Sequence, residues 1–133
     1  MARLILVRGL PGSGKSTFAR FLGLYHIEAD MFYLDDDDNY CFNPARIKDA
    51  HVWCQNGAKE AIAAGMDTVV SNTFTQNWEM RPYFQMGAES VTVVTCEGDF
   101  GSIHNVPSDV IAAMKERWEP LLEKENRYDH REI

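Results

Sequence analysis

A three-layer α/β fold, with a mainly parallel sheet of four to five strands and helices on both faces, follows from three observations. Short apolar, β-branched runs alternate with longer helical stretches. A glycine-rich turn joins the first run to the first helical stretch, as strand and helix are joined in such folds. The length, 133 residues with 45% hydrophobic content, supports one core and hardly two, and no linker or repeat divides it.

The first strand is read at RLILVR, residues 3–8, a run suited to burial on both faces. It runs into VRGLPGSGKST, residues 7–17, in which Gly9, Gly14, Lys15 and Ser16 match the phosphate-binding pattern of two glycines five apart followed by Lys and Ser or Thr. At ordinary residue frequencies a chain of this length matches by accident about 0.4% of the time, so the pattern is read as a site. Wrapping backbone N–H groups around an anion needs residues without Cβ at the points of close approach, here Gly9, Gly12 and Gly14, with Pro11, Ser13 and Thr17 completing the turn. The helix KSTFARFLG begins at Lys15 and ends at Gly23, aiming its free N–H groups and positive dipole end at the same anion. Lys15 brings a mobile charge for the outer phosphates. Ser16 brings a hydroxyl for Mg²⁺, which prefers oxygen ligands. The stretch therefore predicts a bound nucleoside triphosphate, ATP or GTP, with Mg²⁺.

YHIEAD, residues 25–30, reads as a second strand ending on Asp30. A long helix is predicted from Pro44 to Ala64, with Asn43 as N-cap, Pro44 in the first turn and Gly65 closing it. Ile47, Ala50, Cys54, Ala58, Ala61 and Ile62 share its apolar face. DTVVSN (67–72) predicts a third strand, WEMRPYFQMGA (78–88) a short helix kinked or interrupted at Pro82, and SVTVVTCE (90–97) a fourth strand. A last helix begins near Ser108 and runs through DVIAAMKERWEPLLEKE, with a kink or break at Pro120. The closing EKENRYDHREI is strongly charged with few apolar anchors and predicts a mobile end.

Ligands on parallel sheets sit at the carboxyl ends of the strands, which makes Gly9 to Ser16, Asp30 and Ser71 to Thr73 neighbours. Asp30 so placed is either a proton acceptor for an attacking hydroxyl or an N-cap or turn aspartate. The consecutive carboxylates Asp35 to Asp38 do not converge on one ion and read as a solvated turn. Trp53, Trp78 and Trp118 read as core or rim packing, and His51 and His104 as helix-face and loop residues. The net charge of −7 disfavours non-specific attraction to a polyphosphate chain, so any nucleic-acid contact is local. Three scattered cysteines without a CxxC pair, no apolar run near the ~20 residues of a membrane span and no signal-peptide pattern at the start predict a cytoplasmic protein without membrane contact.

RGLPGSGKST (8–17), Asp30 with Phe32 and Tyr33, Phe42-Asn43-Pro44, Asn72-Thr73, Trp78-Glu79-Met80, His51 and Trp53, and IHNVP (103–107) together resemble the P-loop kinase family that includes bacteriophage polynucleotide 5′-hydroxyl kinase, and related AAA-type ATP-binding proteins. The likeness spans about residues 3–118. It implies a P-loop NTPase fold, a kinase domain over 1–119 with a charged extension at 120–133, catalytic roles for Lys15 and Asp30 with Asp30 as general base, and a nucleic-acid 5′-end or nucleotide as acceptor. Three positions depart from the family pattern. Tyr33 stands where an arginine follows the catalytic Asp, Ser71-Asn72 where relatives carry an Asp, and Gly101-Ser102 where a lid arginine precedes IHxVP. Arg81, Lys115 and Arg117 are the candidate substitutes for the lid charge. A small-molecule acceptor, favoured by the acidic surface, and a nucleotide-binding module or weak ATPase, favoured by the absent arginines, are the alternatives.

Overall fold

The computed structural model describes residues 2–99, 106–122 and 129–133. Its centre is β1 (Arg3–Gly9), flanked on one side by β3 (Thr68–Asn72) and then β2 (Tyr25–Ile27), and on the other by β4 (Ser90–Cys96) and then β5 (Asp129–Glu132). Every pairing is parallel, giving the order β2-β3-β1-β4-β5. The register sets Arg8 beside Asn72 on one side and beside Thr95 on the other.

Alternation along the strands builds two cores. Leu4 and Leu6 face one side with Ile27, Val70, Val91 and Val93, and are covered by Ala50, Cys54, Ala58 and Ile62 of α2 (Ile47–Ala63) and Met80 and Tyr83 of α3 (Asn77–Phe84). Val7, Val69, Val94 and Cys96 face the other side under Ala19 of α1 (Lys15–Phe21), with Phe18 and Leu22 packed against them. Central strands read as unbroken apolar runs because both faces are covered. The three layers and the parallel sheet expected from the sequence are present.

Several elements differ in extent from the sequence reading. The second strand stops at Ile27, and Ala29–Tyr33 form a 3₁₀ helix, so Asp30 lies on that turn rather than on the strand. Asn43 caps a 3₁₀ turn (Pro44–Arg46), its side chain accepting from the Ala45 N–H at 3.0 Å, and α2 starts only at Ile47. Ile47 is 46% exposed rather than on the buried face, because the helix has barely begun there; Ala50, Cys54, Ala58, Ala61 and Ile62 are buried as expected. Pro82 sits inside α3 without ending it, and the helix is held at its start by Glu79, whose carboxylate accepts from the Gln76 N–H at 2.9 Å.

The last helix, α4 (Ser108–Arg117), stops ahead of Pro120, since the backbone turns extended at Trp118. At the charged end, Asp129–Glu132 form an edge strand on β4 instead of a mobile tail. Two further backbone bonds extend the pairing: the Ile133 N–H donates to Thr95 and the Glu97 N–H to the Ile133 carbonyl, each at 2.8 Å. The expected lid region, with Gly101, Ser102 and IHNVP up to Asn105, and residues 123–128 lie outside the described residues. Among the described residues no helix is long and apolar enough to cross a membrane, and Cys41, Cys54 and Cys96 are free thiols.

Candidate nucleotide and phosphoryl-transfer site

The loop between β1 and α1 has the backbone that an anion cradle needs. Gly12 and Gly14 hold φ of 83° and 88°, in the left-handed region that favours glycine. Gly14 directly precedes α1, whose first residues, Lys15 and Ser16, therefore carry N–H groups without helical partners. A Cβ on Gly9 would collide with Ser13 Oγ and stand 3.0 Å from the Cys96 carbonyl. Gly9→Ala is accordingly expected to destabilise the fold by about 1–3 kcal/mol, through a forced shift of the loop away from β4, checked by urea denaturation. Ser13 is buried and its hydroxyl has no hydrogen-bond partner. An orphaned donor in a glycine cradle beside a lysine fits a phosphate group.

Lys15 is half-buried rather than freely solvated, its Nζ donating to the Leu10 carbonyl at 3.5 Å. Burial lowers its pKa, opposed by the charges of Glu28, Asp30 and Cys96. The ammonium thus rests against the loop whose anion it would meet. Ser16 is bound to a partner that sequence reasoning missed: its Oγ donates to Glu28 Oε2 at 2.5 Å. Glu28 Oε1 lies 3.7 Å from His26 Nε2, and that nitrogen is 2.7 Å from Ser71 Oγ. A chain Ser16, Glu28, His26, Ser71 therefore joins α1 to the ends of β2 and β3. The signal was a lone acid placed just before the expected aspartate, in a segment read as strand.

Asp30 is exposed, and Tyr40 Oη donates to its Oδ1 at 3.3 Å. Burial, followed by the Asp30 charge and this bond, pushes the Tyr40 phenol pKa up, so it remains a proton donor to the carboxylate. The 3₁₀ turn is located by Asn72, whose Oδ1 accepts from the Ala29 N–H at 2.9 Å while its Nδ2 lies 3.6 Å from Cys54 Sγ. Asn72 is thus committed to placing the turn. The Gly9 N–H donates to the Thr73 carbonyl at 3.3 Å, which brings the segment after β3 against the loop. Around the turn, Tyr33 packs edge-on against Phe32, Tyr40 and Phe42, Trp53 leans on Phe32, and Arg46 stands 4.7 Å over the Phe32 ring. Asp35 accepts from the Asp37 and Asn39 N–H groups at 2.9 Å each, closing the acidic run into the turn expected of it.

Arg8, directly before Gly9, is only 1% exposed. Its guanidinium donates to the carbonyls of Phe74 at 2.7 Å and Glu119 at 2.8 Å, and lies 4.0 Å from the Trp118 ring centroid. Burial pushes its pKa down to about 10, against the pull of Glu79 and Glu119. Trp118 is thereby packing, as expected, whereas Trp53 and Trp78 are 40% and 61% exposed. Of the candidate lid substitutes, Arg117 donates from Nε to Thr75 Oγ1 at 3.3 Å and Lys115 is exposed on α4.

Comparison with known proteins agrees with this architecture. Human NEDD4-binding protein 2 is 42% identical over 87 residues, which cover 60% of this chain; the chain spans about 5% of that protein's length. Chaetomium thermophilum Kti12 in complex with ADP-AlF3 superposes with a TM-score of 0.63 at 16% identity, covering 98% of this chain and 88% of that one. A chain of the Pnkp1/Rnl/Hen1 RNA repair complex gives 0.59 at 16% identity, covering 92% and 40%. A family model described as an AAA domain matches residues 4–100. With the glycine cradle, the parallel sheet and that match together, the chain belongs to the AAA domain family that this model describes.

Proposed function

We propose that this chain is an ATP-dependent kinase that moves the γ-phosphoryl group to a hydroxyl of a nucleic-acid end or a nucleotide. One observation carries the reading: an exposed carboxylate, Asp30, stands on a turn anchored to β3 by Asn72, close enough to the phosphate loop for its charge to act on Lys15. The acceptor oxygen attacks the γ-phosphorus, the bond from that phosphorus to the β,γ-bridging oxygen breaks, ADP leaves, and the acceptor's proton passes to Asp30. The loop N–H groups, Ser13 Oγ and Lys15 hold the phosphates in place, and Thr17 follows on the first turn of α1. Ser16 would hold Mg²⁺, whose charge would offset that of the β- and γ-phosphates. GTP fits the same loop, since the cradle reads phosphates rather than the base.

The likeness to a chain of an RNA repair complex favours a nucleic-acid end as acceptor. The net charge of −7 and the acidic turn after Asp30 restrict contact to that end. Residues 1–119 form the kinase domain in this reading, and 120–133 its charged extension. Incubation with γ-labelled ATP, 5′-hydroxyl oligonucleotides, nucleotides and a metabolite mixture tests it. Label is expected on the oligonucleotide or nucleotide; label on a metabolite alone, or on free phosphate alone, rejects the acceptor class. Lys15→Ala is expected to weaken triphosphate binding about 10- to 100-fold, the worth of a charge-assisted hydrogen bond, in a protein that still folds. Unaltered affinity in a titration of that variant would remove the loop from the site.

A further inference from the structure

Beside Asp30 lies an aromatic cluster that phosphoryl transfer itself does not use. Tyr40, whose hydroxyl meets Asp30 Oδ1 at 3.3 Å, is nearly parallel to Phe42, at an interplanar angle of 9° with ring centroids 6.4 Å apart. Tyr33 packs edge-on against both. The Phe32 ring is taken up by Arg46 at 4.7 Å and Trp53 at 6.1 Å. Phe42 differs from its neighbours in being 52% exposed, one ring away from the Asp30 carboxylate. Tyr33, at the centre of the cluster, is only 7% exposed, and its hydroxyl has no hydrogen-bond partner among the described residues. An orphaned hydroxyl within an aromatic cluster fits a ligand that has both a flat face and polar edges.

The surrounding charges select against phosphate. Asp30 and the turn from Asp35 to Asp38 are exposed and acidic, and Arg46 is paired with Asp49 at 3.2 Å. An acceptor arriving here is held by a ring face better than by its backbone. We propose that Phe42 is the stacking platform for the base of the acceptor nucleotide, which sets the substrate class as hydroxyls borne on a nucleoside. This rests on the acceptor reading above and deepens it. Tyr40, between Phe42 and Asp30, links the platform to the carboxylate, and the Tyr33 hydroxyl is the polar group left for the edge of the bound nucleoside. Every base has a π-face, so purine and pyrimidine ends are accepted alike.

The test compares a 5′-hydroxyl oligonucleotide with the same oligonucleotide carrying a tetrahydrofuran abasic residue at its 5′ end, using γ-labelled ATP. Loss of the base is expected to raise KM roughly 10- to 100-fold, the worth of one stacked base, with kcat much less affected because the platform stands away from the reacting atoms. Phe42→Ala is expected to raise KM for the base-bearing end by a similar factor while adding little to the KM of the abasic one. Phe42→Trp keeps a ring face and is expected to restore the wild-type KM, which a merely structural role for Phe42 would not predict. ATP affinity, read by titration in each variant, reports whether the phosphate loop is still formed. Equal KM for the two oligonucleotides, or an unaltered KM in folded Phe42→Ala, overturns the platform alone. A wild-type protein that labels neither oligonucleotide nor any nucleotide overturns it together with the acceptor reading.

Discussion

Asp30→Asn is expected to slow phosphoryl transfer by roughly 10²- to 10⁴-fold while leaving ATP affinity nearly unchanged. The amide keeps the size of the carboxylate and can still meet the Tyr40 hydroxyl, which stands 3.3 Å from Asp30 Oδ1. What it loses is the capacity to take a proton from the acceptor, a loss felt in the transition state and not in the ground state. The two roles open to this residue from sequence separate cleanly in the same variant. A base gives collapsed single-turnover transfer with an unmoved melting temperature. A turn residue gives a stability loss of up to about 1 kcal/mol with turnover intact, and that outcome would reject the proposed base. The exposure of Asp30 bears on this choice, because an acceptor hydroxyl must reach it from solvent.

The largest expected loss of stability comes from Arg8→Met, at about 3–5 kcal/mol. The guanidinium donates to Phe74, Thr75 and Glu119 carbonyls, and methionine would leave those acceptors without it in a buried place. Arg8→Lys is expected to recover little, since one ammonium cannot match a planar fork that also stands 4.0 Å over the Trp118 ring. Urea denaturation with an unchanged dependence on denaturant is the measurement. A midpoint within the error of wild type would mean that the carbonyls find water instead. Because Arg8 adjoins Gly9, loosened nucleotide binding is the expected second symptom.

How much of this was legible in the sequence depends on whether a residue's partner is near in the chain. The phosphate loop was readable because its demands are local: glycines where the backbone turns left-handed, and a lysine and a serine at the helix start. β1, β3, β4 and the buried face of α2 were readable from apolar patterning. β5 was not, because Asp-His-Arg-Glu carries no apolar alternation and an edge strand is fixed by backbone bonds to a distant neighbour. Glu28 and Arg8 escaped for a related reason. A single charged residue inside a strand-like run looks like a boundary until the fold brings Ser16 to the one and two carbonyl segments to the other. The shift of Asp30 from strand to 3₁₀ turn depends on Asn72, a buried amide whose bond to Ala29 no local pattern encodes.

The strand order has a kinetic consequence. β1 is translated first yet lies in the middle of the sheet, and neither of its neighbours exists until residues 68–72 and then 90–96 have left the ribosome. An apolar strand must therefore wait, both edges unpaired, through the synthesis of α1, β2 and α2, and its eventual partners are joined only by distant, parallel pairing. Such topologies fold slowly, because loop closure precedes the contacts that reward it. The nascent chain is exposed to mispairing for that interval, and a chaperone that shields Leu4, Leu6 and Val7 until β3 emerges would raise the yield of folded protein.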